Sequence, residues 1–271
     1  MRKIIVAALL ALMFLPAAAQ NKSLSEVLLL QMPTDPGARA SSIAWHPTLK
    51  RYYAPKSGNA SYSMGIFDAK GNLVSPDELK VNFDIRGFWY SPRLKTFCAN
   101  GYSDYGWVSY VLDRDGIPTD VKHDIEYQNQ PDLHSVGSYD DKNNVVFFLK
   151  GQNILAYSAS KYDQLNKKIR LHIGSKNKTD AELNEVLYGE DDTPEDYNYT
   201  TAIYTGIPTA EFALLNVYTK TIEFYDMKTG YITKTSKLPS DAPAENMLCF
   251  TYANGIFFLF DLGNKMWHGY K

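Results

Sequence analysis

The sequence predicts an all-β chain folded as a ring of five similar sheets. Three observations predict it: a segment that repeats after 45 residues, short β-rich runs separated by turn residues along most of the chain, and a last repeat that ends one strand short while an orphan strand precedes the first. The 271 residues are 45% hydrophobic and 21% charged, a balance that excludes disordered and collagen-like chains.

The elements are taken in chain order. Arg2-Lys3, the apolar run Ile4 to Leu15, the helix-breaking Pro16 and Ala17-Ala18-Ala19 have the form of a secretory signal peptide. Residues 1–19 are therefore expected to be removed after Ala19, with export to the periplasm or outside the cell. The apolar run is too short for a permanent span, and no later run is long and apolar enough to cross a membrane. Residues 20–271 are expected to form a single domain. Without Arg2 and Lys3 the formal charge of −2 becomes −4. That balance argues against a nucleic-acid partner, since neutralising phosphates needs a basic surface.

Ser25 to Met32 is the orphan strand. Beyond it, Ile43-Ala44-Trp45-His46-Pro47-Thr48-Leu49-Lys50-Arg51-Tyr52-Tyr53-Ala54 reappears as Phe88-Trp89-Tyr90-Ser91-Pro92-Arg93-Leu94-Lys95-Thr96-Phe97-Cys98-Ala99. Ile66-Phe67-Asp68-Ala69-Lys70-Gly71 reappears, with the same offset, as Val111-Leu112-Asp113-Arg114-Asp115-Gly116. Weaker copies follow from Ser135, Thr201 and Asn246. Each unit reads as β-branched and aromatic strands joined by turns such as Asp115-Gly116, Asn143-Asn144 and Asn254-Gly255. A period in the forties with about four strands per unit is the pattern of a β-propeller blade.

With strand a innermost and d outermost, unit one begins at Ser41 and has Asn72-Leu73-Val74 as strand d. The others begin near Asp84, Leu133, Tyr199 and Asn246. Unit five lacks strand d. Placing the orphan strand there closes a five-bladed propeller and removes an exposed sheet edge.

The order of inner strand, Pro, turn, Lys-Arg, aromatic strand and Asp-x-x-x-Gly turn resembles the YVTN-type repeats of secreted bacterial β-propellers. His46-Pro47-Thr48-Leu49-Lys50-Arg51-Tyr52-Tyr53 and Phe224-Tyr225-Asp226-Met227-Lys228-Thr229-Gly230 carry the likeness. It departs from the pattern at the first hairpin, where Thr48-Leu49 and Arg93-Leu94 replace the usual Asp-Gly. A six-bladed TolB-like ring is the alternative.

An insertion at about 175–198 interrupts the repeat. Thr179 with Glu182 resembles a capping box, Ala181, Leu183, Val186 and Leu187 form a short apolar stripe, and Gly189 stops the helix. The acidic residues Glu190, Asp191, Asp192, Glu195 and Asp196 follow without the spacing of a calcium loop. The segment is expected as a solvated cap or a lid over the channel mouth. Cys98 and Cys249 fall in strand-like runs of non-neighbouring units and are read as buried free thiols.

No metal or cofactor motif is present, and the five histidines are too scattered to pair as ligands. The face where the a strands begin is the expected ligand-binding rim, with Arg39, Arg86, Tyr102, Tyr105, His134 and Tyr199 upon it. The function so read is an exported binding module for a glycan, a peptide or an envelope protein, acting as a monomer. The alternative is a glycoside hydrolase, which would need paired carboxylates; Asp84, Asp132 and Glu245 are the candidates.

Overall fold

A computed structural model describes residues 22–127, 129–188 and 192–271. The signal-like segment, the cleavage position, and Gly189, Glu190 and Asp191 lie outside the described residues. The chain forms five small sheets in a ring, a five-bladed β-propeller.

Blade two shows the pattern in full: Ile85–Ser91, Thr96–Gly101, Trp107–Leu112 and Pro118–Ile125 pair antiparallel from the axis outward. Blade three consists of Ser138–Asp140, Val145–Lys150, Asn153–Ser158 and Gln164–Arg170. Blade four runs from Ile203–Tyr204 through Phe212–Asn216 and Thr221–Tyr225 to Ile232–Lys237. In blade five, Phe250–Ala253, Ile256–Asp261 and Met266–Tyr270 come from the end of the chain. Its outer strand is Glu26–Gln31, antiparallel to Met266–Tyr270, as expected for ring closure. Leu30 sits opposite Trp267, and both are fully buried.

Closure extends further than the sequence indicates. Lys22–Ser23 adds a short parallel strand to the outer edge of blade four, against Ser236 and Lys237. The Ser25 and Lys271 backbones exchange hydrogen bonds. After the closing strand, Asp35 meets Lys56 of blade one at 2.7 Å, and the Lys56 side chain is fully buried. Burial pushes Lys56 below the usual lysine range. Burial also opposes ionisation of Asp35, but Lys56 and the Ser63 amide outweigh it and hold that carboxyl low.

Four elements differ from expectation. In blade one the inner strand is broken into Arg39–Ala40 and Ala44–His46, both paired with Arg51–Ser57, beyond which lies Met64–Asp68. The expected strand Asn72-Leu73-Val74 reduces to one bridge between Leu73 and Phe67. In blade three the outer strand is Gln164–Arg170, not residues 169–173. Its polar residues face solvent, so hydrophobicity does not mark it, whereas Leu171 and Ile173 are buried filler beneath blade four. The helix Lys178–Tyr188 starts earlier than Thr179: Asn177 Oδ1 accepts from the Asp180 amide, and Asp180 reaches back to the Lys176 amide. Of its apolar stripe only Ala181 is buried; Leu183, Val186 and Leu187 are exposed.

The repeat's aspartates shape turns. Asp68 Oδ1 accepts from the amides of Lys70 and Asn72, and Asp113 Oδ1 from those of Asp115 and Ile117. Asp226 and Asp261 hold their turns in the same way. Cys98 and Cys249 are buried free thiols, and burial raises each to about 12.

A belt of hydrogen bonds joins neighbouring blades near the axis. Cys249 N donates to Ala40 O, Ser42 Oγ to Arg86 O, Val136 N to Thr200 O, and Leu248 N to Thr200 Oγ1. Two buried amides complete it. Asn100 accepts from the Gly87 and Gly137 amides and donates to Gln130 Oε1 and Ser135 O, using its full capacity. Asn198 Nδ2 donates to the carbonyls of Glu245 and Leu248, linking blades four and five. Gly87 has no room for a side chain, since a Cβ there would lie 2.2 Å from Asn100 Oδ1 and 2.4 Å from the Gly137 amide.

Replacing Asn100 by Leu orphans two buried amides and is expected to lower the unfolding free energy by about 3 kcal/mol. Gly87→Ala, which forces the blades apart, is expected to cost roughly 1–3 kcal/mol. Urea denaturation of each variant checks both; unchanged midpoints would show that the belt does not hold the blades.

Candidate functional site

Two cavities lie on opposite sides of the belt. Ser135 and Thr200 line the upper one, on the face where the inner strands begin; the next residues in the chain that face the axis, Val136 and Thr201, line the lower one.

The upper face gathers several residues expected there. Arg86, nearly buried, pairs with Asp84, and its guanidinium lies 4.5 Å from the centre of the Tyr102 ring. The Tyr102 ring is 5.0 Å from that of His134. Asp84 also accepts from the Gly58 amide at 2.7 Å, so this carboxylate is already committed to two partners. Asp132 Oδ1 accepts from the His134 amide. Burial, and next the Arg86 charge, hold His134 below the usual imidazole range against the pull of Asp132 and Asp84. Arg86 Nε and His134 Nδ1 are buried with no hydrogen-bond partner.

Beside this cluster the upper cavity, about 630 Å³, runs between blades three and four. Asp132, His134 and Tyr199 line it together with Asp192, Thr193 and Glu195 of the insertion. Thr193 Oγ1 donates to Gly151 O, and Tyr197 bridges Asn216, so this part of the insertion is pinned as a wall of the cavity. Tyr105 packs near Phe83 and stays half exposed. Glu245 stands apart from the Arg86 cluster and acts on the Cys249 thiol, whereas the Arg39 charge reaches both Cys249 and His134. The structure thus joins Asp84, Arg86, Tyr102, Asp132 and His134, and leaves Tyr105 and Glu245 outside that group.

Beneath Tyr197 lies a buried carboxylate that hydrophobic patterning does not flag. Glu223, on the third strand of blade four, accepts from Tyr197 Oη at 2.9 Å and Tyr225 Oη at 2.7 Å. Burial raises its pKa more than these hydroxyls and Lys176 lower it.

The lower cavity, about 400 Å³, is lined from the belt down to the first hairpin of every blade. At its mouth each blade contributes an aromatic residue near the end of its inner strand: Trp45, Tyr90, Tyr139, Tyr204 and Tyr252, with Trp89 as a sixth ring. The rings rest on others: Trp45 on Tyr52 at 4.5 Å, Tyr139 on Trp89 at 5.9 Å, Tyr204 on Phe147 at 5.1 Å and Tyr252 on Phe257 at 4.7 Å. Burial, then Asp140, Glu211 and Asp141, raise the Tyr204 hydroxyl to about 12, so it stays a neutral donor at physiological pH. Reading the strands for fold alone misses this funnel. The signal was present in the 45-residue copy, which sets Trp45 against Tyr90.

Among the described residues no group of three or more His, Cys, Asp or Glu is placed to hold a metal ion, and no helix is long and apolar enough to cross a membrane. No family model and no curated protein matches the chain. Among solved structures it is similar to the crystal structure of Raptor from Chaetomium thermophilum, at 12% identity and a TM-score of 0.52. The match covers 93% of this chain and 29% of Raptor, so the chain spans under a third of that protein, and the likeness is one of fold. It is also similar to a chain of a nidogen/laminin complex, at 10% identity and a TM-score of 0.44, over 82% of this chain and 70% of the other.

The raised pKa of Glu223 fixes the sign of a pH effect. Below the unfolded glutamate pKa of about 4.3 the group is protonated in both states and its favourable contribution is complete. That contribution is lost as pH rises through the folded value, because the buried carboxylate must then ionise. Glu223→Gln removes this loss. The stability of the variant relative to the parent is expected to rise as pH increases above about 4.3 and to level off once pH exceeds the raised folded value. Urea unfolding at a series of pH values measures it; a difference independent of pH would contradict the assignment.

Proposed function

We propose that this protein is an exported binding module that takes its ligand at the propeller axis. The observation that supports it best is the funnel: every blade sends an aromatic ring to one mouth, over a cavity of about 400 Å³. Packing alone does not require five aromatic rings to line one cavity, whereas concave sites of this size that combine aromatic rings with hydroxyl and amide groups suit ligand capture. Export is proposed from the basic-apolar-small pattern of residues 1–19, and the YVTN-type likeness of the repeats agrees with it.

A second reading places a peptide or an envelope protein on the upper rim, over Arg39, Arg86, Tyr102, Tyr105, His134 and Tyr199. The buried, unpartnered Arg86 Nε and His134 Nδ1 favour it, since a ligand acceptor or donor there would satisfy them.

Retention of envelope glycan and peptide pools on the immobilised protein separates the two. The double variant Tyr204→Ala/Tyr252→Ala is expected to lose retention about tenfold, and His134→Ala to keep it. Loss in His134→Ala alone would put the ligand on the upper rim. Cell fractionation with N-terminal sequencing tests export; a chain still starting at Met1 in the cytoplasm would contradict it.

A further inference from the structure

The lining of the lower funnel narrows the chemistry of its ligand. Resting on the reading of that funnel as the binding site, we propose that it takes a segment of a neutral glycan.

The ring faces come first. Trp45, Tyr90, Tyr139, Tyr204 and Tyr252, each half-buried at the lining, offer apolar ring area to the C–H faces of pyranose rings. These rings are already packed against Tyr52, Trp89, Phe147 and Phe257, so little side-chain freedom is lost on binding. The polar groups fit as well. Ser138 Oγ accepts from the Tyr204 amide and Thr251 Oγ1 accepts from the Ile43 amide. A hydroxyl used as an acceptor keeps its O–H to donate, so both can serve sugar oxygens. Thr205 and Asn254 add polar atoms at the lining, with the Thr205 hydroxyl already donating to Ala210 O and Asn254 Nδ2 to Tyr52 Oη.

Charge completes the selection. Among the described residues no Lys, Arg or His lines the cavity, and Asp141 is its one charged residue. A sulfated, phosphorylated or uronic saccharide would find no counter-charge there. A neutral sugar needs none, and Asp141 would accept from its hydroxyls.

The four tryptophans provide a readout. Trp45 is half-buried at the cavity, whereas Trp89, which also lines it, Trp107 and Trp267 are 7%, 1% and 0% exposed. The full chain is titrated with neutral hexasaccharides of β-1,4-glucose, α-1,4-glucose and β-1,4-N-acetylglucosamine, with oligogalacturonate as the charged comparison, while acrylamide quenching is followed. At least one neutral series is expected to protect tryptophan saturably, and oligogalacturonate not to. Tyr252→Ala and Trp45→Ala are each expected to weaken binding about tenfold, with Tyr252→Phe close to the parent. Thermal unfolding of each variant guards against lost folding. If Trp45→Ala proves unfolded, the comparison of Tyr252→Ala with Tyr252→Phe carries the result. Asp141→Lys separates ligand classes: it would abolish capture of a cation but change a neutral sugar's affinity less than tenfold.

Protection by none of the neutral series overturns the glycan assignment; if lysine-rich or aromatic peptides then protect Trp45, the funnel stands and only its ligand class falls. Saccharide binding of parental strength in both alanine variants overturns the funnel itself.

Discussion

Antiparallel pairing of Glu26–Gln31 with Met266–Tyr270 turns a row of sheets into a ring. Without it blade five would expose the edge of its third strand, and blades five and one would be held by side-chain packing, such as Tyr52 on Phe258, and by the contacts near the axis. The pairing is reinforced on both sides. Lys22–Ser23 reaches back to blade four, and the Asp35–Lys56 pair fastens the following loop to blade one. Fourteen residues of chain, Lys22 to Asp35, thus hold three blades. A fully buried lysine is tolerated here because its carboxylate partner and the Pro33 carbonyl replace lost water.

The ring dictates where a ligand can sit. Five inner strands approaching one axis leave no space for side chains where they come closest, so the belt is built from backbone groups, two glycines and the small or amide side chains of Ser42, Asn100, Asn198 and Thr200. Below the belt there is room, and it is lined by half-buried aromatic residues, Trp45, Tyr90, Tyr139, Tyr204 and Tyr252. Above it, the insertion and the second hairpin of blade three wall a cavity offset from the axis. The two mouths therefore differ in chemistry: ionic groups above, ring faces and hydroxyls below.

Much of the ring was legible because its determinants are periodic. The 45-residue copy, the Asp-led turns and the missing last strand together specified five blades and the closing strand. Other features depend on distant partners and left no local trace. Asn100 looks like an ordinary strand residue until Gly137, from the next blade, is placed against it. Gln164–Arg170 is too polar to stand out because its outer face meets only water. Leu183, Val186 and Leu187 read as an apolar stripe, yet nothing in the described structure covers them. The rim residues Arg86, Tyr102 and His134 could be placed on a common face from topology alone, but the Arg86–Asp84 pairing needed coordinates.

The order in which the ring is completed has a consequence for how the protein is made. The closing strand is synthesised near the start of the chain and its partner at the end, some 240 residues later. Until then the early strand has no sheet to join, with Val27 and Leu29 on one face and Leu28 and Leu30 on the other. Such a segment is an open invitation to pair with a neighbouring chain. Maturation should therefore depend on late, long-range docking rather than on blade-by-blade assembly alone, and a chaperone that shields the leading segment would act at the point of greatest vulnerability.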